Sequence, residues 1–222
     1  MNKSIKDIFL KLLIVTLLFF NSCEKDKKTG LPVDGDGNVY DTVRIGTQTW
    51  LKENLKTTKY NNGDPIPHIT DNAEWMTFGR GAYCWYDNNP GYKDTYGALY
   101  NGHAARLANF ICPVGYHVPD DTEWRTLIDY LGGEEIAGDK LKAAGAQFWG
   151  VNNQSTNESG FTAIPGGWRH NYDGIFGSIG SYGKYWSSTF GHYVDMHSSN
   201  SWAYIKGLSP QTGFSVRCIK DD

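Results

Sequence analysis

Apolar and polar positions alternate with two different periods along this chain, and one stretch carries the clearest signal. Asp120 is followed three residues later by Glu123, the pattern of a reciprocal helix cap, with Val118 and Pro119 just outside it and Trp124 placed to close a hydrophobic staple. Trp124, Leu127, Ile128 and Leu131 then recur at helical spacing, and Gly132 and Gly133 supply a stop, so the main helix is predicted here. A short second helix is predicted over residues 140–145, ending at Gly145, and a helical turn over residues 72–76 with Trp75 inward. Period-two patterning marks strands instead. Residues 39–51 read as a hairpin turning at Gly46 and Thr47, with Val39, Val43, Ile45 and Trp50 on buried faces. Strands are also predicted at 82–86, 96–101, 161–164 and 184–189, and segments 202–205 and 214–219 are expected to pair as the closing strands. The sum is an α+β domain of short antiparallel strands, one main helix, one short helix and long ordered loops.

The amino terminus changes the picture. Lys3, Lys6 and Lys11 precede an apolar run at residues 12–20 that is far short of the roughly 20 residues needed to span a bilayer. Residues 1–22 therefore read as a signal peptide. Ser22 before Cys23 resembles the lipobox of bacterial lipoproteins, in which the chain is cut before the cysteine and that cysteine is acylated. Residues 23–33 are expected to be the lipidated cysteine and a charged tether, leaving residues 34–222 as one domain. A palmitoylated outer-membrane protein held at the cell surface is the expectation, with the membrane reached through the lipid anchor; a periplasm-facing or secreted protein is the alternative. In an exported chain, the cysteines of the domain suggest a disulfide and an odd thiol. The expected bridge joins Cys112 to Cys218, with Cys84 buried as a small hydrophobe. The formal net charge of −3, which loses Lys3, Lys6 and Lys11 on processing, argues against nucleic acid as a partner.

Candidate chemistry is sparse. Residues 34–38 open like a calcium loop, but the twelfth position, where a bidentate Glu is required, is Ile45, so a tight turn is expected. His192, Asp195 and His197 are the one local group of potential ligands; in a strand His192 would point away from the other two, and a solvated loop is the expectation there, without metal. No zincin, hydrolase-elbow, phosphate-loop or Cys-x-x-Cys motif occurs, so no enzyme and no cofactor are expected. A binding surface is. Trp168, Arg169, His170, Tyr172 and Tyr182 place flat aromatics beside hydrogen-bond donors, the combination that meets carbohydrate faces and protein partners. The chain is read as a cell-envelope lipoprotein presenting a non-catalytic binding domain, for glycan or for a surface protein. A structural or protein-interaction module is the alternative, and a divergent enzyme the third.

With these segments in place, the chain resembles the Fibrobacter succinogenes major paralogous domain, found in exported proteins and lipoproteins of Bacteroidetes and Fibrobacteres. The resemblance is carried by residues 43–55, 112–124, 160–167, 185–188 and 215–218. Tyr116 and the pair Gly102 and His103 depart from the usual aromatic residues. The order of elements also looks like a C-type-lectin-like or formylglycine-generating-enzyme-like fold, a likeness at the level of fold alone. The Glu-Pro-Asn, Gln-Pro-Asp and Trp-Asn-Asp signatures of calcium-dependent lectins are absent.

Overall fold

A computed structural model describes residues 30–151 and 153–222. Residues 1–22, expected to be a signal peptide, and Cys23, the expected lipidation site, lie outside the described residues. The main helix, Asp121–Tyr130, begins as its sequence dictates: the Asp120 carboxylate accepts from the Glu123 amide, and the Glu123 side chain accepts from the Asp120 amide. Its stripe of Trp124, Leu127 and Ile128 is fully buried. The Trp124 ring lies 4.8 Å from Trp50 and 6.2 Å from Tyr185, with Phe161 against all three. Contact among four aromatics, each at most 0% exposed, makes this one of the principal cores.

All strand pairings within the sheets are antiparallel. The hairpin of β1 (Thr42–Ile45) and β2 (Gln48–Leu51) turns at Gly46, as the alternation predicts. It continues through β12 (Ile219–Lys220) to β5 (Tyr116–His117) in the order β1-β2-β12-β5. A second sheet runs β3 (Tyr83–Cys84), β4 (Leu99–Asn101), β11 (Gly213–Phe214), β6 (Trp168–Arg169), β7 (Phe176–Gly177). The third has β9 (His192–His197) between β8 (Tyr182–Trp186) and β10 (Tyr204–Gly207). A parallel bridge from Tyr185 to Ser215 links β8 to the segment after β11.

Several expectations are corrected. Segments 202–205 and 214–219 do not pair with each other: β10 pairs with β9, β11 with β4 and β6, and β12 with β2 and β5. The segment 192–197 is no solvated loop but the central strand of its sheet, with Tyr193 through Met196 buried. The short helix is Ala137–Leu141, starting earlier than residue 140, and Lys142 leaves it in extended conformation. Lys142 is drawn inward, donating to the His197 and Asn200 carbonyls, pairing with Asp139 and lying over Trp149. Val39 is 52% exposed rather than buried, because the antiparallel bridge at Val33 and Val39 lies before the hairpin begins.

Candidate functional site

Strand β6 alternates, so Trp168 and His170, which flank Arg169, share one side of the chain. Trp168 and His170 stack with rings 5.5 Å apart and nearly parallel, and Tyr172 continues the row 4.9 Å beyond His170. The neighbouring sheet supplies the facing wall: Tyr182 meets Trp168 edge-on at 5.1 Å. Together with Leu208, Thr212 and Phe214 these rings enclose a cleft of about 350 Å³. That volume lies within the range of small-ligand sites.

The floor of the cleft is charged. Register sets Lys184 on β8 opposite Asp195 on β9, and Asp195 opposite Tyr204 on β10. Lys184 and Lys206 each reach an Asp195 oxygen at 2.7 Å. Lys184 is buried, so desolvation pulls its ammonium below the usual lysine range despite the opposing hydrogen bond and charge of Asp195. The faces of Tyr182, Tyr193, Trp168 and Phe214 surround the same ammonium at 4.8 to 5.7 Å. Burial likewise pushes the Tyr193 hydroxyl up to about 12, with Asp195 adding to the shift. His170 brings a buried Nδ1 that has no hydrogen-bond partner among the described residues, with the Asp173 carboxylate 3.6 Å away. Beyond Tyr182 and Asp195 the surface dips again into a hollow of about 280 Å³ lined by His197, Trp202, Tyr204 and Lys206. Trp202 is 46% exposed and stands 5.4 Å from Tyr204.

The structure brings four of the five expected ligand residues together and sets the fifth apart. Trp168, His170, Tyr172 and Tyr182 line the cleft. Arg169 points the opposite way and is fully buried, donating to the carbonyls of Ile69, Thr70 and Gly174 and to the Asn72 side chain. Its guanidinium is held between Trp75 and Phe176, so it ties loops together beneath the site. Lys184, Phe214 and the Trp202 hollow are added by the structure, and Asp195, a candidate only beside His192 and His197 in the sequence, joins the cleft. The period-two spacing of Tyr182 and Lys184 was the available signal; Asp195 needed the strand pairing.

The other candidates have structural partners. Cys112 and Cys218 form a disulfide, with Cα atoms 6.0 Å apart, and Cys84 is a buried free thiol pushed up to about 12 by burial. Asp34 accepts from the amides of Asp36 and Asn38 and from the Tyr40 hydroxyl, and Asp36 accepts from Thr58, which makes residues 34–38 a self-bonded turn. His192 bonds Asp121, whose other oxygen accepts from Ser187, while His197 bonds Ser199. Among the described residues no group of three or more His, Cys, Asp or Glu side chains is placed to hold a metal ion.

Several of the segments that carry the family resemblance converge on one side chain. Arg217 is fully buried and donates to the carbonyls of Leu51, Lys52 and Phe161 and to the Asn54 side chain. Its guanidinium lies 4.4 Å over the Phe161 ring. Residues 43–55, 160–167 and 215–218 are thus locked by one planar fork of donors. A model of the Fibrobacter succinogenes major domain matches residues 43–220. The chain belongs to that family. No curated protein and no solved structure matches it. In this Fibrobacter succinogenes major domain the family segments build the Arg217 lock and the aromatic core, whereas Trp168, His170, Tyr172 and Trp202 lie outside those segments. The framework and the candidate site are therefore carried by different stretches of the same domain.

Proposed function

We propose that this Fibrobacter succinogenes major domain is a non-catalytic binding module, presented at the cell surface by a lipid on Cys23, whose aromatic cleft takes carbohydrate. The observation that carries the reading is the crossed pair of Trp168 and Tyr182 beside the Lys184–Asp195 pair of the same cleft. A pyranose has one C–H-rich face that packs on a ring and an edge of hydroxyls that bonds to charged groups, which is what such a wall and floor would meet. The adjoining Trp202 hollow shares Tyr182 and Asp195 with the cleft, so a polysaccharide would occupy both. The same reading takes the α+β domain to be C-type-lectin-like in arrangement, but binding through aromatics rather than calcium.

The test is a screen of envelope and cell-wall polysaccharides with and without chelator. Chelator-resistant binding that falls by about tenfold, roughly 1.4 kcal/mol, in Tyr172→Ala and in Trp202→Ala supports the proposal, since each removes a ring face on which a sugar packs. Tyr172 is 69% exposed, so its truncation does not endanger the fold. A blank screen, or undiminished binding by both variants, would overturn it. One observation favours protein docking instead: Tyr172 and Leu208, 69% and 45% exposed, give the cleft an apolar rim. In that case an envelope protein would be recovered on the domain, and Tyr172→Ala would release it. For the anchor, fractionation decides: Cys23→Ser is expected to leave the membrane fraction, and its retention there would sink the lipid assignment.

A further inference from the structure

A second broad hollow lies elsewhere and has the opposite chemistry. It is an open hollow of about 590 Å³ between the loop before β3 and the turn Gly102–Ala105, and its lining includes Tyr60, Pro67, Arg80, His103, Arg106 and Leu107. Asn101 fixes both walls: its side chain donates to the Arg80 carbonyl, accepts from the Ala82 amide and caps Gly102–Ala105 through the Ala104 amide. Gly81 allows the walls to approach, because a Cβ there would collide with the Tyr60 hydroxyl and press tightly on Ala104.

Two arginines face this space without carboxylates. Arg80 lies 5.2 Å over the Phe78 ring and Arg106 5.2 Å over Phe190, so each guanidinium is supported on a flat face with its N–H edges open. His103 leans on the same Phe190 ring at 5.5 Å. Among the described residues no Asp or Glu lines the hollow and neither arginine makes an ion pair. A chain of formal net charge −3 thus keeps one hollow cationic. Guanidinium edges pair in bidentate fashion with planar or tetrahedral oxyanions. The remaining lining, Tyr60, Pro67 and Leu107, suits a carbon skeleton more than a bare hydrated ion.

We propose that this cavity is a second ligand site, for a sugar-sized organic anion whose carboxylate or sulfate is bound by Arg80 and Arg106. It is independent of the aromatic cleft and of what binds there. The shared chemistry is an oxyanion on a compact body, and the two sources are separated by probe. Full-length protein is titrated with glucuronate, glucose 6-sulfate, neutral glucose and sodium sulfate, following arginine Nε–Hε resonances by NMR and heats by calorimetry. One or both acidic sugars are expected to saturate the site, shifting Arg80 and Arg106, with affinity falling as salt is raised. Arg80→Gln and Arg106→Gln are each expected to weaken binding by about tenfold or more, the loss of one charge-assisted pair, while Arg125→Gln on the exposed face of the main helix leaves it unchanged. Both arginines are exposed, so the variants keep the fold. Saturation by neither acidic sugar, equal binding of glucose, or sodium sulfate binding as tightly as the sugars would each overturn the proposal.

Discussion

His117 sits between two carboxylates, its Nε2 2.8 Å from Glu123 and its Nδ1 2.6 Å from Asp221. Both ring nitrogens can donate only in the imidazolium form. The bond to Glu123 is the largest influence and, with Asp221, it outweighs burial, lifting His117 to about 9. Burial would raise Glu123, but the bonds from His117 and the Asp120 amide hold it below the ordinary glutamate range. A folded-state pKa above the unfolded value of roughly 6.5 means that the contribution is complete below about 6.5 and fades as pH rises to about 9. The urea midpoints of the parent and of His117→Gln should therefore differ most near pH 6 and draw together by pH 9. A gap that is constant or widens with pH would show that the imidazolium clamp does not form. No local pattern announced this residue, because Asp221 is 104 positions away.

At the scale of elements, Glu123 has a second task, since the same side chain closes the cap of the main helix. Asp120→Ala is expected to cost about 1 kcal/mol in chemical denaturation, the ordinary value of an N-cap, with the native core fluorescence unchanged. A loss several times larger would mean that Asp120 holds more than the helix start. This helix was legible because cap, stripe and glycine stop all lie within fifteen neighbouring residues. The β1–β2 hairpin was legible for the same reason, its partners being joined by a two-residue turn. The pairing of the closing strands was not, since β10, β11 and β12 go to three different sheets and several ladders are only one or two residue pairs long. Periodicity gives the faces of a strand but not its neighbour. For the candidate site the lesson divides the same way. Alternation alone separates Arg169 from Trp168 and His170, so its absence from the cleft was readable. The Lys184–Asp195 pair was not, because it exists only through the register of β8 on β9.

For the whole domain, residues Leu31–Asp222, the Cys112–Cys218 bridge is the longest covalent constraint, spanning 106 positions. It does not stand alone. Immediately beyond its two ends, β5 and β12 pair at His117 with Ile219 and at Tyr116 with Lys220, and the Cys218 carbonyl accepts from the Leu51 amide. Non-covalent contacts therefore already define where the two ends meet, and the bridge acts chiefly on the unfolded chain. Closing a loop of about 100 residues removes up to roughly 4.7 kcal/mol of unfolded-state entropy, and measured values run about 2–4 kcal/mol. Cys112→Ala with Cys218→Ala should then fold to the same structure with about 3 kcal/mol less stability. For a domain of this size that corresponds to a midpoint about 6–12 °C lower in thermal unfolding. Cys84 keeps the comparison clean, because a buried thiol pushed up to about 12 supplies almost no thiolate to attack the bridge in the parent protein. If the double variant fails to fold, the β5–β12 ladder and the aromatic core are insufficient to register the carboxy terminus, and the bridge is a folding requirement rather than a constraint on the unfolded chain. If its stability equals the parent's, the denatured state already holds these ends together.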